Sequence, residues 1–117
     1  MNGSAARRPF PFHPSAFILH PYAVMVIGVL QIEFAIPDAF SLKDKRQSVR
    51  SLKDRMSRGF NVSVAEVGAL DEHRRAVLGV AMVSNDKVYV ESALNKLVDM
   101  VRATPTVELL DHQIDFL

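Results

Sequence analysis

Twice along this chain an alternating hydrophobic pattern gives way to one repeating every 3.6 residues, and then returns. That order of periods admits few folds. From Val26 to Ile36 the pattern alternates: Val26, Leu30, Ile32, Phe34 and Ile36 share one face with Gly28, while Ile27, Val29, Gln31, Glu33 and Ala35 share the other. Pro37-Asp38 ends this strand, because proline cannot donate to a paired ladder. Ser41 then opens a helix, with Asp44 completing an S-x-x-D capping box and Gly59 placed to end the helix in a left-handed conformation. Asn61 to Val67 reads as a second strand with Val62 and Val64 on one face, and Gly68 to Arg74 as a polar turn. The third strand, Arg75 to Val83, is apolar on both faces, the pattern of a strand in the middle of a sheet. Ser84-Asn85-Asp86 is an N-cap signal for a second helix running to about Ala103, with Val90, Leu94, Leu97, Val98 and Val101 on one face. Beyond Pro105, Val107 to Phe116 forms the last strand, with Leu110, Ile114 and Phe116 expected to face inward.

The order is β-α-β-β-α-β. With right-handed crossovers it gives an α+β, ferredoxin-like sandwich, in which one antiparallel sheet carries both helices on a single face. The domain spans residues 25–117. Residues 1–24 are unlike the rest: they hold four of the chain's six prolines (Pro9, Pro11, Pro14, Pro21), which block both helix and sheet. They read either as a disordered leader or as residues ahead of a true start at Met25, and the strand beginning directly after Met25 favours the second. The absence of cysteine rules out disulfides and thiolate metal sites. No apolar run approaches the roughly 20 residues a membrane-spanning helix needs.

Charge is concentrated on the first helix. Ser41 to Arg58 holds seven Lys or Arg against two Asp, about +5, in a chain whose net charge is +1, so the remainder sums to about −4. Such a local field is hidden by the overall balance, which argues against a protein that coats nucleic acid generally. At 100° per residue, Leu42, Val49, Leu52 and Met56 form a narrow apolar seam, with Lys45 beside it, expected to snorkel along it. Lys43, Arg46, Arg50 and Lys53, at spacings of three, four and three, form a basic stripe on the flank. The bland reading is a solvated face; the sharper one is contact with RNA phosphates.

Met25-Val26-Ile27-Gly28-Val29-Leu30, Ser41-Leu42-Lys43-Asp44-Lys45-Arg46, Asn61-Val62-Ser63-Val64-Ala65-Glu66-Val67-Gly68 and Val83-Ser84-Asn85-Asp86 together resemble the YlxP-like family, bacterial proteins of unknown function. The turn Ala69-Leu70-Asp71-Glu72-His73 departs from it, since the family often places an aromatic there. The resemblance implies a ferredoxin-like fold and a cytoplasmic bacterial protein. Genes of this family often sit near those for transcription elongation, translation initiation and ribosome maturation, which implies an RNA- or ribosome-linked role by association only. It supplies no catalytic residues.

The sheet's open face is the second candidate surface. The third strand carries no aromatic residue, so bases are not expected to stack there as they do on RNA-recognition motifs. Ile27, Val29, Val77, Ala81 and Val83 are expected instead to expose an apolar patch suited to a second copy or a protein partner. His112 alternates with Leu110 and Ile114 and reads as a packed histidine. Asp71-Glu72-His73 are adjacent on one turn and do not converge as metal ligands do. No glycine-rich nucleotide loop and no nucleophile–base–orienter set is readable, so no cofactor, metal or catalytic residue is expected. The reading is a non-enzymatic protein contacting ribosomal RNA or the ribosome through Lys43, Arg46, Arg50 and Lys53. The alternative is a homo-oligomeric interaction or regulatory module acting through its sheet face, without nucleic acid.

Overall fold

In the computed structural model, residues 23–117 are described; residues 1–22, nearly all of the expected leader, lie outside them. The elements are β1 (Val26–Ala35), α1 (Leu42–Gly59), β2 (Val62–Gly68), β3 (Arg75–Ser84), α2 (Lys87–Arg102) and β4 (Glu108–Phe116). The four strands form one sheet in the order β2-β3-β1-β4, with every neighbouring pair antiparallel. This is the ferredoxin-like sandwich, and the strand that is apolar on both faces, β3, is central in it.

Leu30, Ile32 and Phe34 of β1 and Leu78, Val80 and Met82 of β3 pack with Val90, Leu94, Leu97, Val98 and Val101 of α2 in a single core. Gly28 permits this approach. A Cβ there would lie 2.4 Å from Val90 Cγ1 and 3.1 Å from Leu94 Cδ1, so only a residue without a side chain lets α2 settle onto β1. The α2 start follows its sequence signal: Asp86 is the N-cap, and its carboxylate accepts from the Tyr89 N–H at 3.2 Å.

Two strands carry register irregularities, and the one on β4 overturns sequence expectations. Along β1 the β4 partners run His112, Asp111, then Leu109, opposite Ile32, Glu33 and Phe34, so Leu110 is an extra, bulged residue. The bulge shifts the alternation: Leu109 packs against the core with Ile114 and Phe116, and Leu110 is exposed. His112 lies opposite core-facing Ile32 but at a sheet edge, where it is exposed rather than packed. On β2 the register skips Val67 between Glu66 and Gly68. The end of α1 also differs from expectation. Gly59 is the last helical residue, Phe60 caps the helix in extended conformation, and no described glycine has positive φ.

Candidate functional site

The α1 N-terminus is built by a local hydrogen-bond network. The Ser41 hydroxyl accepts from the Asp44 N–H at 3.1 Å, as the capping box requires. The Asp44 carboxylate reaches one residue further back than expected and accepts from the Phe40 N–H at 2.9 Å. The helix buries Lys45, Val49, Leu52 and Met56, and it lies over β2, whereas α2 covers β1, β3 and β4.

Lys45 corrects the sequence reading. It does not snorkel to water; it is 1% exposed. Its Nζ donates to the Ala69 carbonyl at 2.6 Å and the Glu72 carbonyl at 2.7 Å, and pairs with Glu66 Oε2 at 2.7 Å. Two of the ammonium's three N–H donors are thus spent on turn carbonyls, and the Glu66 carboxylate supplies the counter-charge. Glu66 is on the helix side of β2, opposite core-facing Leu78, which brings its carboxylate under α1. The lysine thereby clamps the β2–β3 turn, including Ala69, which sits at φ 55, a left-handed conformation costly for a residue with a Cβ. Arg55 is also structural: its Nη2 donates to the Thr104 hydroxyl at 2.8 Å, tying α1 to the end of α2.

The four stripe residues behave differently. Lys43, Arg46 and Arg50 are exposed, and Lys53, the one nearest the buried seam, is half-buried. Among the described residues, none of the four forms an ion pair; the pairs present involve Lys45, Arg75 and Arg102. Arg102 pairs with Asp99 at 3.0 Å on α2, far along the chain from the stripe. The seven basic residues of α1 thus divide into two structural cations, Lys45 and Arg55, four on a single flank that form no ion pair among the described residues, and Arg58, exposed in the last turn.

At the start of α1, Phe40 is 75% exposed, and the Arg74 guanidinium carbon lies 5.4 Å from its ring centroid. Arg74 is held by its own Nε, which donates to the Ala39 carbonyl at 3.0 Å, and by its carbonyl, which accepts from the Ile36 N–H. Sequence reading gave this aromatic no role. Its exposure could have been anticipated from the helix start: a residue before the N-cap usually packs on the fourth helical residue, which here is Lys45, turned inward.

On the open face, cross-strand partners align Ile27 with Val83 and Val29 with Ala81. Val83 is 55% exposed, and Ile27, Val29 and Ala81 are partly so. The bulged Val67 extends this patch, lying over Gly79. Val77 does not belong to it as expected. It is only 8% exposed, packed beside Gly68 and opposite Glu33, whose carboxylate pairs with Arg75 at 2.6 Å. The apolar surface therefore runs from Ile27 and Val83 to Val67 over Gly79 and stops short of Val77.

A shallow cavity of about 610 Å³ is lined by Arg102 and residues 107–112 along β4. Its lining includes the ionisable side chains of Arg102, Glu108, Asp111 and His112. Among the described residues, no group of three or more His, Asp or Glu could hold a metal ion, and no helix is long and apolar enough to cross a membrane.

A small α+β sandwich is the class this geometry defines. Residues 27–114 match the family described as "Protein of unknown function (DUF503)", and the chain belongs to that family. It is similar to the "Uncharacterized protein YlxP" of Bacillus subtilis (strain 168), at 35% identity over 83 residues, covering 71% of this chain and 90% of that protein.

Proposed function

We propose that this protein is a non-enzymatic RNA-binding factor that contacts ribosomal RNA or the ribosome through the α1 stripe. One observation carries the reading: Lys43, Arg46, Arg50 and Lys53 share one flank of a capped, anchored helix and form no ion pair among the described residues. An exposed row of cations with no acidic partner keeps its charge for an external polyanion. The ribosomal choice within RNA rests on the gene neighbourhood associated with the family resemblance. Four cations position a backbone but do not read a sequence, so specificity belongs to RNA shape or to a second contact.

With four phosphate contacts, the logarithm of affinity for single-stranded RNA should fall with the logarithm of salt at a slope of roughly −3, at about −0.7 per contact. Arg46→Glu combined with Arg50→Glu should at least halve that slope, and co-sedimentation with ribosomes at low salt should disappear in the same variant. Absence of RNA affinity, or affinity indifferent to the double reversal, would sink the reading.

A second reading, self-association through the open sheet face, is favoured by the exposed Val67 and Val83 beside Ile27, Val29 and Ala81. Light scattering should then report a dimer that Val83→Asp returns to monomer. Val77→Asp is unsuitable for this test because Val77 is buried. A monomer at high concentration counts against it.

A further inference from the structure

We propose that Phe40 and Arg74 form a stacking platform for one unpaired nucleobase at the N-terminal end of the α1 stripe. The proposal rests on the phosphate reading above and names its substrate class, single-stranded rather than fully paired RNA. Phe40 combines high exposure with fixed placement. Its N–H is tied to the Asp44 carboxylate, and its ring is covered on one side by a guanidinium that is itself hydrogen-bonded to the Ala39 carbonyl. A ring 75% exposed under these restraints offers a free apolar surface whose position does not depend on a flexible loop. Stacking a base on an aromatic ring is sequence-tolerant, because every base has a π-face, and an arginine on the ring adds cation–π attraction.

The surroundings favour a base over a phosphate at this point. Asp38 and Asp71 are exposed on the two turns that meet through the Arg74–Ala39 hydrogen bond, and they would repel an anion placed between them. Beyond Arg74 on the ring itself, the stripe begins at Lys43, three residues on along the chain. A strand running along the stripe would therefore bring its terminal or extruded base, rather than its backbone, onto Phe40. This also supplies stacking that the sheet, with no aromatic on β3, does not offer.

The test compares a short oligoadenylate with an abasic oligomer carrying the same number of phosphates, each titrated at low salt. The wild-type protein should bind oligoadenylate roughly tenfold more tightly than the abasic strand. Phe40→Ala should erase that difference and leave abasic binding unchanged, and Phe40→Trp should retain it. Arg46→Glu with Arg50→Glu should weaken both ligands together. If the wild type binds both oligomers equally, or Phe40→Ala keeps the preference, the platform is overturned while the stripe stands. If neither oligomer binds, the phosphate reading fails and the platform with it, and the exposed ring is then a protein contact. Because the ring is mostly in solvent, Phe40→Ala should melt like the wild type, and the Trp variant guards against a folding artefact.

Discussion

The two helices of this sandwich divide its work unequally. α2 buries Val90, Ala93, Leu94, Leu97, Val98 and Val101 and covers three strands. α1, two residues longer, buries four side chains, one of them a lysine, and lies chiefly over the edge strand β2. A helix with a wide apolar stripe is committed to the core, and its outward positions are few. A helix with a narrow seam leaves most of its circumference to water. The contrast explains how α1 can carry seven basic residues in a chain of near-neutral charge without endangering the fold. It also shows that the basic residues of α1 are not one population: Lys45 is bonded to the hairpin beneath it, whereas Lys43 and Arg46, its neighbours within a turn, form no ion pair among the described residues.

The largest expected effect breaks α1's buried ionic anchor. Lys45→Met keeps the alkyl chain but leaves the Glu66 carboxylate and the Ala69 and Glu72 carbonyls without their donor. Removing one member of a buried pair costs about 3–5 kcal/mol, and the lower end, about 3 kcal/mol, applies because Glu66 is 20% exposed and can rehydrate. Urea denaturation should report that loss, and hydrogen exchange should place it in the β2–β3 turn. If Lys45→Met is neutral, the clamp is not what holds Ala69 left-handed, and Arg55 is left as the structural cation of α1. Next comes the α2 contact. Gly28→Ala drives a Cβ to 2.4 Å from Val90 Cγ1, on a buried, β-branched side chain with little freedom to yield. The cost should be about 1–3 kcal/mol, as for other overpacked cores. Exchange should accelerate across β1, β3 and α2 together, since α2 packs on both strands. Opposite exchange patterns in the two variants would sharpen the division between the helices; identical patterns would break it.

Periodicity made much of this architecture readable. The α2 seam, the β1 faces, both N-caps and the central place of β3 follow from residue spacing alone, because each is a local rule repeated over a long element. What escaped the sequence depends on where elements meet. The face of Leu110 was misread because a period of two assumes no bulge, and the bulge exists only in the pairing of β4 with β1. Val77 was expected to be exposed because its own strand does not reveal that Gly68 and the Glu33–Arg75 pair lie beside it. Lys45 lies beside the seam in sequence, but its burial rests on Glu66 and two turn carbonyls more than twenty residues away. Of the candidate site, the positions of the stripe along α1 were legible and its lack of internal partners was not, since ion pairing is a property of the assembled surface. Phe40 was visible as an aromatic before a cap, but its frozen, exposed state needed Arg74.

The smallest expected effect is on stability, and it separates a functional surface from a structural one. Arg46 and Arg50 are exposed and form no ion pair among the described residues. Surface substitutions away from caps and pairs usually change stability by no more than about 0.5 kcal/mol. Reversing both charges removes like-charge crowding along the row with Lys43 and Lys53, which if anything offsets the loss of helix-compatible cations near the middle of α1. Thermal melting of Arg46→Glu with Arg50→Glu should therefore match the wild type within that margin, even as RNA affinity collapses. A large loss of stability would mean the stripe is bound into the fold by contacts as firm as those of Lys45. The contrast between the two kinds of cation on α1 would then disappear, and with it the reason to assign the exposed flank to a ligand.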